Sequence, residues 1–389
     1  MTVRILIECG VAETRAALIN DNGVWKFWFG PARGDEAEDG AIISGRRFAG
    51  RITAIDKSLK AAFVDIGDSK AAFLPLKATN EVHLTDGALI EIEVTAPPRQ
   101  NKGAVVRFVS ADVTIQQAGR LPPVPDPALE AVEAFGRAAD EIIIDDGGAR
   151  SLLDGAGFPN VAHDAAGNLF EKSGASEALA SAFGRNVLLD GGGRIVIDEA
   201  QALTAIDVDT SDLAAASSAR LREKVALAAA REAVRQISLR NIGGHVVIDF
   251  PNLSGNTQRQ RFTEFLKTQL ARLDGVKAQS FSKSGLFSFT LPRRTWSLLD
   301  RFSEQENTTP VPGRKFTLEA KAKAAMRALE HRLRAQPSAR LRLAMGARLG
   351  EYMDGKNAWR DRLHEKYGAR TDYLVVKKLE ECSFDLSEQ

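Results

Sequence analysis

The chain opens with short apolar runs broken by polar positions: Val3-Arg-Ile-Leu-Ile-Glu8, then Arg15-Ala-Ala-Leu-Ile-Asn20, a turn at Asp21-Asn-Gly23, and Val24-Trp-Lys-Phe-Trp-Phe29. Alternation around an Asn-Gly turn predicts a strand followed by a hairpin. A Gly/Asp/Glu-rich linker from Pro31 to Gly40 separates this from strands expected at 45–50, 51–55, 61–67, 71–76, 89–94 and 104–108. So many short strands in so few residues predict a small barrel.

Beyond a proline-rich joint, Leu121-Pro-Pro-Val-Pro-Asp-Pro127, the pattern turns to helix alternating with strand. A helix is expected at 128–139, a strand at Glu141-Ile-Ile-Ile-Asp145 and a short helix at 176–183. After Gly191-Gly-Gly193 come two strands, Arg194-Ile-Val-Ile-Asp198 and Ala202-Leu-Thr-Ala-Ile-Asp207. A long Ala-rich helix at 213–240 ends on Asn241-Ile-Gly-Gly244, a C-cap pattern, before the strand His245-Val-Val-Ile-Asp-Phe250. Phe262, Phe265, Leu266 and Leu270 share one apolar stripe of a second helix, and strands at 278–282 and 286–291 close this unit. Past Pro310-Val-Pro-Gly313 a basic helical stretch and a small α/β tail are expected.

Composition adds limits rather than detail. The 389 residues exceed one ordinary core, and 44% hydrophobic with 26% charged residues is the balance of a soluble globular protein of two or three domains. No apolar run is long enough to span a bilayer, and Arg4 and Glu8 interrupt the start, so neither a membrane span nor a signal peptide is expected and the cytoplasm is the default. Cys9 and Cys382 stand at opposite ends, which excludes a disulfide framework or a cysteine-rich zinc site within one chain. The net charge of +1 hides a basic stretch, because residues 314–348 hold ten Lys or Arg against Glu319 and Glu330. A solvated helical face and a polyanion contact are both open readings of it.

Apolar strands ending in a carboxylate are the most informative chemistry: Ala205-Ile-Asp207-Val-Asp209 and Val247-Ile-Asp249-Phe. A β-branched run such as Val246-Val-Ile248 asks for burial on both faces, so the aspartate at its end is expected at the border of a core, where an unpaired charge is expensive. Two such carboxylates on neighbouring strands would suit magnesium, which takes one or two of them and completes its shell with water and phosphate oxygens. Period-two alternation puts Asp209 on the side of Asp207. The alternative is that these aspartates, like Asp198, only cap helices or turns. In the barrel, Phe63 and Phe73 are either core rings or stacking platforms for bases, with Lys57, Lys60, Lys70, Lys77 and Lys102 nearby in sequence to follow phosphates.

The stretch Gly50-Arg-Ile-Thr-Ala-Ile-Asp-Lys-Ser-Leu-Lys-Ala-Ala-Phe-Val-Asp-Ile-Gly67, with Ala72-Phe-Leu-Pro-Leu76, resembles the OB-fold RNA-binding domain of the ribonuclease E/G family. Gly192-Gly-Arg-Ile-Val-Ile-Asp-Glu-Ala-Gln-Ala-Leu-Thr-Ala-Ile-Asp-Val-Asp209 resembles that family's DNase I-like catalytic subdomain, and Arg235-Gln-Ile-Ser-Leu-Arg-Asn-Ile-Gly-Gly-His-Val-Val-Ile-Asp-Phe250 its second metal-site strand. The resemblance covers 1 to about 110 and about 128 to 300, and the tail only weakly. It implies a multidomain α/β (α+β) chain: an RNase H-like subdomain at 1–35 and 116–185, an inserted OB-fold barrel at 36–115, a DNase I-like subdomain at 186–305 and a small C-terminal α/β domain at 306–389. It further implies Asp207 and Asp249 as Mg2+ ligands, Asp209 where the family usually has a supporting asparagine, and Phe63, Phe73 and Lys102 as RNA-binding residues.

The function implied is a magnesium-dependent endoribonuclease that cuts single-stranded RNA and leaves 5′-phosphate ends, with a homodimer suggested by the family. Departures leave a second reading, an RNA-binding protein of the same fold with weakened catalysis. The proline-rich joint stands where the family inserts a 5′-monophosphate sensor, and the paired-cysteine zinc link is missing. Ala226 and Ala228 replace polar helix residues, and Thr210-Ser-Asp212 lacks the usual basic residue. A purely structural adaptor accounts poorly for the barrel and the basic segment.

Overall fold

A computed structural model describes residues 2–35, 42, 44–76, 84–99, 102–111, 117–121, 125–136, 139–158, 160–210, 219–253, 255–282, 285–306 and 313–388. Its sheets and helices form a mixed α/β architecture in two compact units, one of Met1–Asp39, Val124–Ala178 and Leu299–Gln389, the other of Gly40–Pro123 and Leu179–Leu298.

In the first unit a five-stranded sheet runs in the order Val161–His163, Glu141–Ile144, Arg4–Cys9, Thr14–Asn20, Gly23–Gly30. The hairpin expected around Asp21-Asn-Gly23 is present, and the Glu141–Ile144 strand lies parallel to the first strand. Asp126 and Asp146 cap the helices Pro127–Ala134 and Gly147–Gly155 by accepting from Ala128 N and Ala149 N, and Arg33 pairs with both capping carboxylates. The second of these helices is absent from the sequence reading, because Gly147-Gly148 looks like a break until the cap beside it is seen. A three-stranded sheet, Thr371–Val375, Leu341–Met345, Phe384–Glu388, with helices Leu318–Ala335, Ala347–Asp354 and Asn357–Tyr367, completes the unit.

Six cations of the basic segment are paired: Arg314 with Asp300, Lys315 with Glu304, Lys323 with Glu319, Arg327 with Glu13, Arg334 with Asp145, and Arg342 with Asp372, while Arg332, Arg340 and Arg348 are exposed. Glu13 and Asp145 are almost wholly buried, so Arg327 and Arg334 answer charges that the first sheet and its loop would otherwise leave desolvated. Val11 and Ala12 of that loop share an apolar cluster with Met326, Leu329 and Leu343.

The second unit holds the barrel and a six-stranded sheet. Barrel strands run Ala61–Asp65, Ala72–Pro75, Val105–Ser110, Leu89–Ala96, Arg47–Asp56, and the last pairs back to the first, closing the ring. The segments expected separately at 45–50 and 51–55 form one strand, Arg47–Asp56. Gly50 is needed because a Cβ there would lie 2.3 Å from Val64. Gly119–Arg120, assigned by sequence to the next subdomain, pairs with the Arg47–Asp56 strand. The other sheet runs Asn186–Leu188, Arg194–Glu199, Leu203–Asp209, Gly244–Asp249, Leu286–Leu291, Lys277–Phe281. Helices Ala219–Leu239 and Asn256–Leu270 pack on each other and cover one face of it. Residues 211–218, which include Asp212 and the expected start of the first of these helices, lie outside the described residues, as do Lys77, residues 36–40 of the first linker and residues 122–124 of the proline-rich joint.

Candidate active site

The two carboxylates come together as expected, but not where expected. Leu203–Asp209 and Gly244–Asp249 are adjacent parallel strands whose register pairs Asp207 with Asp249. In-register residues of neighbouring strands lie about 5 Å apart and point to the same face. Thr204, Ile206 and Val208 on one strand, and Val246, Ile248 and Phe250 at and after the other, are buried under the helices, whereas Asp207 and Asp249 are exposed. The core-border expectation is therefore corrected. The sheet is covered on one face only, so alternate positions open to solvent, and Val247 is half-buried rather than sealed in. Phe250 anchors this strand end by an edge contact with Phe262, ring centroids 4.9 Å apart.

Neither Asp207 nor Asp249 has a hydrogen-bond or ion-pair partner among the described residues, so both keep their oxygens available. Asp209 differs. It lies on the same face, but Arg194, its cross-strand partner in the antiparallel hairpin, places Nη2 2.6 Å from its Oδ2. No group of three or more His, Cys, Asp or Glu able to hold a metal occurs among the described residues. A pair of free carboxylates in register still fits magnesium, which asks for one or two and fills the rest of its shell with water and phosphate. Asp198 keeps its structural reading, held by Arg185 through two contacts of 2.6 and 2.7 Å. Ala226 is buried on a helix that packs behind the sheet, so it does not share the open face with the carboxylates.

The barrel brings two of its three residues together. Phe63 and Phe73 are cross-strand partners with centroids 6.1 Å apart and planes at 73°. Both are half-buried, while Ala62, Val64, Ala72 and Leu74 between them are sealed in the core, so these rings stand on the outer surface. Lys102 is exposed on a tight bridge with Arg99. Gly103 lets that bridge lie against the Phe73 strand, since a Cβ there would sit 2.0 Å from the Ala71 carbonyl oxygen. Arg99 then ties the bridge to the second sheet, donating at 3.3 Å to the carbonyls of both Ala200 and Gln201 in the turn that leads into the Asp207 strand. Lys57 and Lys60 are exposed on the barrel as well.

Arg194 and Arg99 were not singled out from sequence. Folding the hairpin about its turn near Ala200 would have put Arg194 opposite Asp209, so that signal was legible. Arg99's role was not, because it joins residues a hundred positions apart.

Residues 156–294 match the model of the Ribonuclease E/G family. That stretch contains Arg194, Asp207, Asp209 and Asp249, and the barrel lies outside it. Similar proteins include the ribonuclease E/G-like protein, chloroplastic, of Arabidopsis thaliana, 32% identical over 162 residues, which are 40% of this chain and 16% of that protein. Ribonuclease E of Escherichia coli K12 is 37% identical over 136 residues, 33% of this chain and 12% of its own length. Ribonuclease G of Haemophilus influenzae is 28% identical over 164 residues, 41% and 33% of the two chains. The shared part is thus well under two thirds of each relative. No helix among the described residues is long and apolar enough to cross a membrane.

Proposed function

We propose that the chain is a magnesium-dependent endoribonuclease that cuts single-stranded RNA and leaves 5′-phosphate ends. The observation that carries this reading is the in-register pair Asp207 and Asp249, exposed and unpartnered on one open sheet face within the stretch that matches the family. These two side chains would hold the ion, which when bound supplies a water activated near neutral pH and shields charge growing on the phosphodiester. The remaining work belongs to the chain itself. Phe63 and Phe73 stack bases, Lys102 follows the backbone, and Arg99 fixes the Lys102 bridge to the sheet that bears the carboxylates.

The subdomain assignment supports the same reading. The barrel's closure, with one parallel contact between the Ala72–Pro75 and Val105–Ser110 strands, suits the OB-fold assignment. The five-stranded sheet, antiparallel at one side and parallel at the other, suits the RNase H-like assignment, and the helix-backed six-stranded sheet suits the DNase I-like one. A homodimer and a cytoplasmic setting belong to the proposal too.

The second reading, an RNA-binding protein without cleavage, draws on the tie between Asp209 and Arg194. Incubating single-stranded RNA with and without magnesium, beside an Asp207→Asn, Asp249→Asn double variant, separates the two. Metal-dependent products that vanish in the variant support the nuclease. Binding of equal strength with no products from either protein supports the second reading. Substrates with 5′-monophosphate and 5′-hydroxyl ends should be cut at similar rates.

A further inference from the structure

Two contacts fix where the barrel meets the six-stranded sheet, and both lie at the same end of it. Arg99 donates to the carbonyls of Ala200 and Gln201, just before the Leu203–Asp209 strand. Ser44 N donates at 3.0 Å to the Arg294 carbonyl, just after the Leu286–Leu291 strand. Asp207 and Asp249 stand toward the opposite end of the open face. A strand of RNA that runs from Lys102 to the carboxylates therefore crosses the rows between. The first of these rows is in register across four strands: Leu203 pairs with His245, His245 with Thr290, and Thr290 with Lys277. His245 alternates with buried Val246 and Ile248, so its ring shares the open face with Asp249. His245 and Lys277 are both exposed, and neither the imidazole nor the ammonium has a partner among the described residues.

We infer that His245 stacks a base and Lys277 meets a phosphate, so that this row lays the RNA from the barrel onto the carboxylate row. The inference rests on the RNA-cleaving reading above but needs no bound metal. Imidazole is among the rings on which splayed bases stack, and a lysine nearby supplies the charge that follows the backbone. From Leu203 to Asp207 the strand advances about 13 Å. A stacked strand rises about 3.4 Å per nucleotide, so this interval holds roughly four stacked nucleotides, and fewer when the chain is extended. The row between, Ala205, Val247 and Ser288, offers neither ring nor charge, and Asp198 at its edge is neutralised by Arg185. The grip along this path therefore falls on His245 and Lys277.

The test is fluorescence anisotropy of the full chain in EDTA with two labelled single-stranded RNAs, one of about four nucleotides, which the barrel alone accommodates, and one of about sixteen. His245→Ala is expected to weaken binding of the long RNA by about 5- to 150-fold, the range for one lost stack, and of the short RNA by less than twofold. His245→Phe keeps a ring and should keep the long-RNA affinity, whereas His245→Leu should lose it as His245→Ala does. Lys277→Ala should weaken the long RNA and lower the slope of log K against log salt by about 0.7. Lys267→Ala removes an exposed lysine from the Asn256–Leu270 helix on the covered face and should change neither. Thermal melting at the wild-type temperature shows that each variant is folded. Long-RNA binding by folded His245→Ala within twofold of wild type, or an equal loss for the short RNA, overturns the inference. So does a His245→Phe variant that binds as weakly as His245→Ala. If the wild-type chain binds neither RNA, the RNA reading itself fails. If it binds the long RNA and His245→Ala matches it, only the role of this row falls.

Discussion

Truncating Phe63 or Phe73 to Ala tests the RNA grip without touching the cutting residues. Both rings are half-buried on the barrel's outer surface and meet edge to face with centroids 6.1 Å apart. If each stacks one base, each truncation should weaken single-stranded RNA binding by about 1–3 kcal/mol, which is about 5- to 150-fold in Kd. The rings touch, so the effects should not add. An edge contact is worth about 0.5–1.5 kcal/mol, and the double variant should fall short of the summed singles by about that much. The folding cost should stay below the roughly 3–5 kcal/mol of a core Phe→Ala change, since Ala62, Val64, Ala72 and Leu74 keep the interior filled. Fluorescence anisotropy with a labelled single-stranded RNA, in EDTA and at one fixed salt, isolates binding from cleavage. Folded single variants that both bind within twofold of wild type would refute the stacking role and return the pair to a surface packing contact.

Further expectations concern charge. Lys102→Ala should weaken binding evenly across sequences and flatten the dependence of log K on log salt by about 0.7, and an unchanged slope would remove Lys102 from the RNA path. Burial alone would raise the Glu13 carboxyl, but Arg327, then Lys323, Arg15 and Arg301, outweigh it and leave it below its ordinary 4.5. The stability it contributes is therefore present above pH 4.5 and lost as pH falls through the lower folded value. Glu13→Gln should cost about 3 kcal/mol in urea unfolding at pH 7 and flatten stability against pH below 4.5, whereas a curve parallel to wild type would deny the linkage. Arg240 is fully buried and its Nη2 has no hydrogen-bond partner. Burial pushes its guanidinium down to about 10, so it is still charged at pH 7. Arg240→Met should therefore be neutral or stabilising by about 1 kcal/mol, and a loss above about 3 kcal/mol would show that the charge is needed.

Much of this protein is legible in the order of its residues because short-range pattern carries it. Alternation marks the strands, Asn-Gly marks the first hairpin, and the stripe Phe262, Leu266, Leu270 marks a helix face. The same periodicity puts Asp207 and Asp209 on one side of a strand, and local resemblance singles out Asp249, Phe63, Phe73 and Lys102. What pattern cannot carry is which strand neighbours which and which face is covered. The parallel pairing of Asp207 with Asp249 joins residues separated by a long helix. Their exposure follows from helices packing behind the sheet, which a β-branched run alone cannot reveal. The pairings of Arg327 with Glu13 and Arg334 with Asp145 turn two cations of the basic stretch into internal counter-charge. These are long-range decisions: closing them needs the whole chain folded, because the free energy that selects a partner strand or a buried counter-ion comes from burial shared among distant segments.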